Sequence, residues 1–169
     1  MKFTGEEIRN LDQRTTDVGL FMLAESYMIC AVTLKENRPK GLRFNSPVEF
    51  LIFHDVELYL KSFLRRVGLS VLELSSRSYG HNFPKLMEEA GSRGLQLRCV
   101  DVARLQFSDE AELPIQTRYL VTGFKQVISL EDLIDTARNV RGPVAELLLK
   151  SGVNVRAPAW TSSSQAGKP

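Results

Sequence analysis

The sequence predicts an all-α fold, a single helical bundle, on three observations. Apolar residues recur at spacings of three and four along the long segments, helix-capping signatures stand at the starts of those segments, and the composition can fill a core. The chain has 169 residues, 43% hydrophobic and 25% charged, which suits one domain and excludes disorder throughout, a collagen repeat or a disulfide scaffold. Neither a Gly-rich phosphate loop, a nucleophile elbow, a metal motif nor an internal repeat is visible, which sets aside the commonest cofactor and hydrolase classes.

The first segment runs from about Asp17 to Glu36, where Leu20, Ala24, Tyr27, Met28, Ala31 and Leu34 follow the helical period. Thr16 or Asp17 can cap it, and Asn37, Pro39 and Gly41 stop it. The second opens at Ser46-Pro47-Val48-Glu49, read as an N-cap serine, a proline where the missing N–H is harmless and a glutamate three residues on. From there to Val67 the apolar positions cover more than one side while His54, Glu57, Lys61 and Arg65 share a strip. That pattern suits the central helix of a bundle, and Gly68 ends it.

Residues 69–80 read as a linker. Asn82 caps a further helix that tolerates Pro84 in its first turn and turns Phe83, Leu86, Met87 and Ala90 inward, with Gly91 and Gly94 at its end. Leu95, Leu97 and Cys99 alternate like a strand, whereas Val100, Ala103 and Leu105 fit a helix, which is favoured. Residues 108–124 read as an irregular connection. Ser129-Leu130-Glu131-Asp132 starts the last helix, which Gly142-Pro143 breaks or kinks before a short final piece, Val144 to Lys150. The domain therefore spans residues 1–151. Residues 152–169 form a disordered tail in which Trp160 could dock.

A net charge of +2 points to neither nucleic acid nor an anionic membrane. The first ten residues do not resemble a secretory signal, and no stretch reads as the ~20 apolar residues of a spanning helix, so the protein is expected to be cytoplasmic. Cys30 and Cys99, among apolar neighbours, are expected to be buried reduced thiols.

With only two histidines, a multi-histidine metal centre is all but excluded. His54 and Asp55 diverge by about a quarter turn on a helix, which leaves His54 a structural part. Glu57 and Lys61, at i and i+4, are either a solvated pair or the lining of an interhelical groove. His81 stands among Arg77, Tyr79, Gly80 and Asn82 just before a helix start, where free N–H groups and the helix dipole favour anions. It either caps and packs that helix end or, with Arg77, acts on a phosphodiester. Metal-free RNA cleavage needs a histidine as general base on a 2′-hydroxyl and an arginine to steady the developing charge.

The run Glu57-Leu58-Tyr59-Leu60-Lys61-Ser62-Phe63-Leu64, then Tyr79-Gly80-His81-Asn82 leading into Leu86 and Ala90, resembles the HEPN family (higher eukaryotes and prokaryotes nucleotide-binding domain) over roughly residues 50–94. Ala24-Glu25-Ser26-Tyr27 is compatible, and Arg118-Tyr119 is similar to a segment these domains place before their last helix. The resemblance implies an up-and-down bundle of four to five helices, paired as a homodimer, in proteins tied to RNA cleavage, toxin–antitoxin systems, phage defence or nucleotide transfer. Ribonuclease members carry an arginine and a histidine with four to six residues between them, usually near the last long helix. Here Arg77 and His81 lie earlier with three residues between them, and no histidine follows Arg138-Asn139 in residues 140–143. The expectation is therefore a non-catalytic binding module for nucleotide, RNA or a protein partner, with Glu57, Lys61, Tyr79 and Arg118 at the ligand and with neither metal, cofactor nor membrane. The alternative is a metal-independent endoribonuclease using Arg77 and His81.

Overall fold

A computed structural model of the chain describes residues 4–76, 78–117, 128–158 and 160. Among them every regular element is helical: α1 Gly5–Arg14, α2 Asp17–Glu36, α3 Ser46–Arg66, α4 Val71–Ser75, α5 Phe83–Ser92, α6 Cys99–Glu110, α7 Leu113–Gln116 and α8 Leu130–Lys150. The all-α class holds. The expected four to five helices become eight among the described residues, three of them about twenty residues long.

Two of the extra helices begin on capping signals present in the sequence. Thr4 and Glu7 form a reciprocal capping box that starts α1, and Ser70 with Glu73 does the same for α4 inside the expected linker. Thr16 caps α2, Asn82 caps α5 and Ser129 caps α8, each accepting a main-chain N–H from three residues on. At α3 the expected box is not formed. Asn45 is the N-cap, its side chain makes no cap bond, and its Oδ1 instead accepts from Arg38 Nη1 at 2.7 Å.

α3 is the central helix, packed against α2, α8, α5, α4 and α7. Ile52, Tyr59, Leu60 and Leu64 on it are wholly buried, meeting Phe21 and Met28 of α2, Leu86 of α5 and Val140, Val144 and Leu148 of α8 in one core. Each fully buried aliphatic side chain of this kind contributes about 1.5–3 kcal/mol. Gly68, with φ of +105°, takes the left-handed turn that ends α3. The segment from residue 95 resolves as an approach to α6, whose helix begins only at Cys99.

Two further expectations change. α8 runs unbroken through Pro143, because Val140, Arg141, Val144 and Ala145 on both sides of the proline are buried and packing outweighs one lost main-chain bond. The tail boundary at residue 152 also moves: Val153 and Val155 pack against the core and Trp160 is buried. Cys30 and Cys99 are free, but both are exposed. Cys30 lies on the outer side of α2 beside Ile29, and Cys99 in the first turn of α6.

α2 has two unlike faces. Phe21, Ala24, Glu25, Met28 and Ala31 are buried, whereas Gly19, Met22, Leu23, Ser26, Ile29, Cys30 and Thr33 are exposed and uncharged, and the exposed Glu36 ends that face. Contrary to the sequence expectation, α2 is by length and composition alone apolar enough to cross a membrane, with a mean hydropathy of 1.5.

Candidate functional site

The fold brings three of the expected site residues together. Glu57 faces inward from α3 and is 4% exposed. Its Oε1 accepts from Lys61 Nζ at 2.6 Å, one turn further along the same helix. Its Oε2 meets His81 Nδ1 at 2.7 Å, from the turn just before α5. Lys61 Nζ also donates to the Gly80 carbonyl at 2.8 Å. One buried carboxylate thus ties the turn ahead of α5 to the central helix, while the His81 side chain stays 55% exposed.

Tyr79 is directed elsewhere. Its hydroxyl donates to Glu89 Oε2 at 3.1 Å, and Arg93 Nε donates to Glu89 Oε1 at 2.6 Å. Desolvation, then the bond to Glu89, raises the phenol above its ordinary value, and the Arg93 bond lowers Glu89. A groove of about 640 Å³ beside it is lined by residues including Glu73, Ser76, Ser78, Tyr79, Lys85 and Glu89. Glu57, Lys61 and His81 do not line it, so the expected ligand residues divide between a closed clasp and a separate acidic groove. Arg77, Arg118 and Tyr119 lie outside the described residues.

No protein-family model, curated protein or solved structure matches the chain.

Two polar clusters inside the bundle were not foreseen. In the first, Glu25 of α2 accepts on Oε1 from Tyr59 Oη and from Arg141 Nε, both at 2.5 Å. Glu25 and Arg141 are 6% and 7% exposed, a buried ion pair that joins α2 to α8. Asp55 of α3 stands in the same interior at 0% exposure, and neither of its carboxyl oxygens has a hydrogen-bond partner. Burial, then the nearby Glu25 charge, pushes Asp55 well above the usual carboxylate range. The Tyr59 hydroxyl one turn on is committed to Glu25; it and Arg141 offset only part of that rise. Burial, then Asp55, also raises the Tyr59 phenol.

The second cluster surrounds Asp101 of α6, also at 0% exposure. Arg98 Nε at 2.7 Å, Thr136 Oγ1 at 3.0 Å and Asn139 Nδ2 at 3.3 Å donate to its carboxylate. Arg104 bridges α6 to Asp132 of α8, and Arg138 pairs with Asp135. The arginines of this region are thus matched by aspartates rather than left as a basic patch.

A local signal existed for the first cluster. Glu25 is the one charge between Asp17 and Lys35 and shares a face with Phe21 and Met28, while Asp55 shares one with Ile52 and Tyr59. His54, by contrast, packs among rings, with its own 4.5 Å from Tyr27 and 6.0 Å from Phe50. Among the described residues, no group of three His, Cys, Asp or Glu side chains could hold a metal ion.

Proposed function

We propose that the chain is a HEPN-like helical module that holds a protein partner without performing chemistry, in the cytoplasm, and that its first partner is a second copy of itself. The uncharged outer face of α2 carries the reading. From Gly19 to Thr33, about 21 Å of helix, the exposed positions are Gly, Met, Leu, Ser, Ile, Cys and Thr, with Met22 58% and Ile29 48% exposed. Such a stripe loses little on desolvation, and its small residues permit close helix approach. Lacking charge, it offers nothing to an acidic or basic ligand and matches itself. About a two-fold axis perpendicular to the helix, two copies of α2 would run antiparallel, which sets their helix dipoles in the favourable sense. The internal pairing of Glu57, Lys61 and His81 and of the α6 and α8 arginines agrees with a surface not designed around nucleic acid.

The test is solution mass by light scattering. A dimer that falls to monomer in Ile29→Lys, with the helical circular-dichroism signal kept, supports the reading. A wild-type monomer, or a dimer indifferent to Ile29→Lys, overturns the self-association.

One observation favours the second reading, a metal-independent endoribonuclease. A half-exposed histidine backed by a buried carboxylate is the arrangement of an oriented general base, and Arg77 would supply the cation. Cellular RNA incubated in excess chelator decides it. Fragmentation by wild type that is lost in His81→Ala and reduced in Glu57→Gln would establish catalysis, and intact RNA would reject it.

A further inference from the structure

Beyond α8 the chain turns at Gly152, whose φ is +82°, and the Val153 N–H donates to the Leu148 carbonyl at 3.1 Å. It then runs back alongside α8. Val153 and Val155 face the core while Asn154 and Arg156 face solvent, the alternation of an extended peptide. Two arginines one turn apart on α8 hold this strap by its main chain. Arg141 Nη2 donates to the Arg156 carbonyl at 2.9 Å, and Arg138 Nη2 donates to the Trp160 carbonyl at 3.1 Å. The Arg141 guanidinium lies 5.9 Å from the Trp160 ring and 5.4 Å from the Phe21 ring, so one cation serves both an interior aromatic and the strap's aromatic.

The manner of holding is that of peptide recognition. Both arginine contacts go to carbonyls, which every residue carries, and the ring is gripped by its face. Trp160 is 9% exposed, yet its indole Nε1 is buried without an acceptor, as is Arg138 Nε. Tryptophans belonging to a core ordinarily find a partner for that N–H. This slot fits an aromatic ring and leaves donors unanswered, so it is not tailored to tryptophan.

We propose that the face of α8 bearing Arg138 and Arg141, together with Phe21 of α2, is a docking groove for an extended peptide with an aromatic anchor. Residues 153–158 and Trp160 fill it in cis and hold it closed against such a peptide from a partner. The inference rests on reading the chain as a protein-binding module and names a second surface for it, away from the outer face of α2.

Trp160 is the only tryptophan, so full-length Trp160→Ala is free of indole emission and a synthetic peptide of residues 152–160 supplies it. Titrated into Trp160→Ala, this peptide should show a saturable blue shift. With a fluorescein label, its anisotropy should show binding to wild type weaker by about tenfold or more, because the tethered strap competes at the millimolar effective concentration of a short linker. Arg138→Gln in the Trp160→Ala chain should weaken binding severalfold. An unshifted emission with folded Trp160→Ala, equal affinity for the two chains, or indifference to Arg138→Gln would each overturn the groove. A Trp160→Ala chain without helical signal would do so as well, by showing the strap to be core. Peptide binding is measured without RNA or any other protein, and the α2 face is untouched, so failure here is distinct from failure of the module reading, which the mass and RNA experiments decide.

Discussion

Replacing Asp55 by asparagine removes an ionisable group from the interior at almost constant shape. Asp55 is wholly buried, its two oxygens lack partners, and its carboxyl is raised well above the usual range by burial first and Glu25 second. The folded chain therefore keeps a proton that the unfolded chain releases near its ordinary pKa of about 3.9. Above that pH the unfolded state binds fewer protons, and stability falls as pH rises, by about 1.4 kcal/mol per unit, until the folded carboxyl itself ionises. Asp55 thus favours folding fully only below the unfolded pKa. The loss is at most about 1.4 kcal/mol for each pH unit, which at ~2 kcal/mol/M is at most about 0.7 M in urea midpoint per unit. Asp55→Asn lacks this dependence, while every other titrating group is common to both chains. Urea unfolding of the two proteins at pH 5, 6 and 7 gives the difference directly. Parallel profiles would refute the argument and mean that Asp55 is ionised or hydrogen-bonded in the folded state.

Other substitutions test the packing and the caps. Arg141→Met strands the buried Glu25 carboxylate and should cost about 3–5 kcal/mol by chemical denaturation; adding Glu25→Gln should recover part of that loss, since the two act as one unit. At Gly91, inside α5, an added Cβ meets nothing within 4 Å, so Gly91→Ala should raise stability by about 0.5–1 kcal/mol, read as a higher melting midpoint. Thr16→Ala removes the α2 cap bond of 2.9 Å and should cost about 1 kcal/mol, whereas Ser46→Ala, one residue inside α3, should stay within about 0.5 kcal/mol.

The ends and inner faces of the helices were largely legible in the sequence because they depend on neighbours. Thr16, Asn82 and Ser129 each bond a main-chain N–H three residues away, and the inward side of α5 follows from the spacing of Phe83, Leu86, Met87 and Ala90. The same local rule failed at Ser46, where Arg38 draws off the Asn45 side chain and periodicity cannot report such competition. It was also overread at Pro143, where burial on both flanks carries the helix across. The site was legible only in part. Glu57 and Lys61 are a turn apart on one helix, but the contact of His81 with Glu57 spans 24 residues and that of Arg141 with Glu25 spans 116. Contacts of that separation are fixed by how α3, α5 and α8 pack, and in a single sequence they leave no mark beyond a lone acid on an apolar face.

The central position of α3 also sets an order of assembly. α2 and α3 are joined by residues 37–45 alone, whereas α8 returns to α3 from beyond residue 129. Closing a short loop costs less entropy, so the α2–α3 hairpin should form first and act as the template on which α8 condenses. Glu25 then spends the early stages without its cation, and the late arrival of Arg141 closes the charge across the interior. The rate of leaving the native state should accordingly respond most to changes in α8, and the rate of reaching it to changes in α2 and α3, a contrast that stopped-flow refolding of Val144→Ala and Ile52→Val would display.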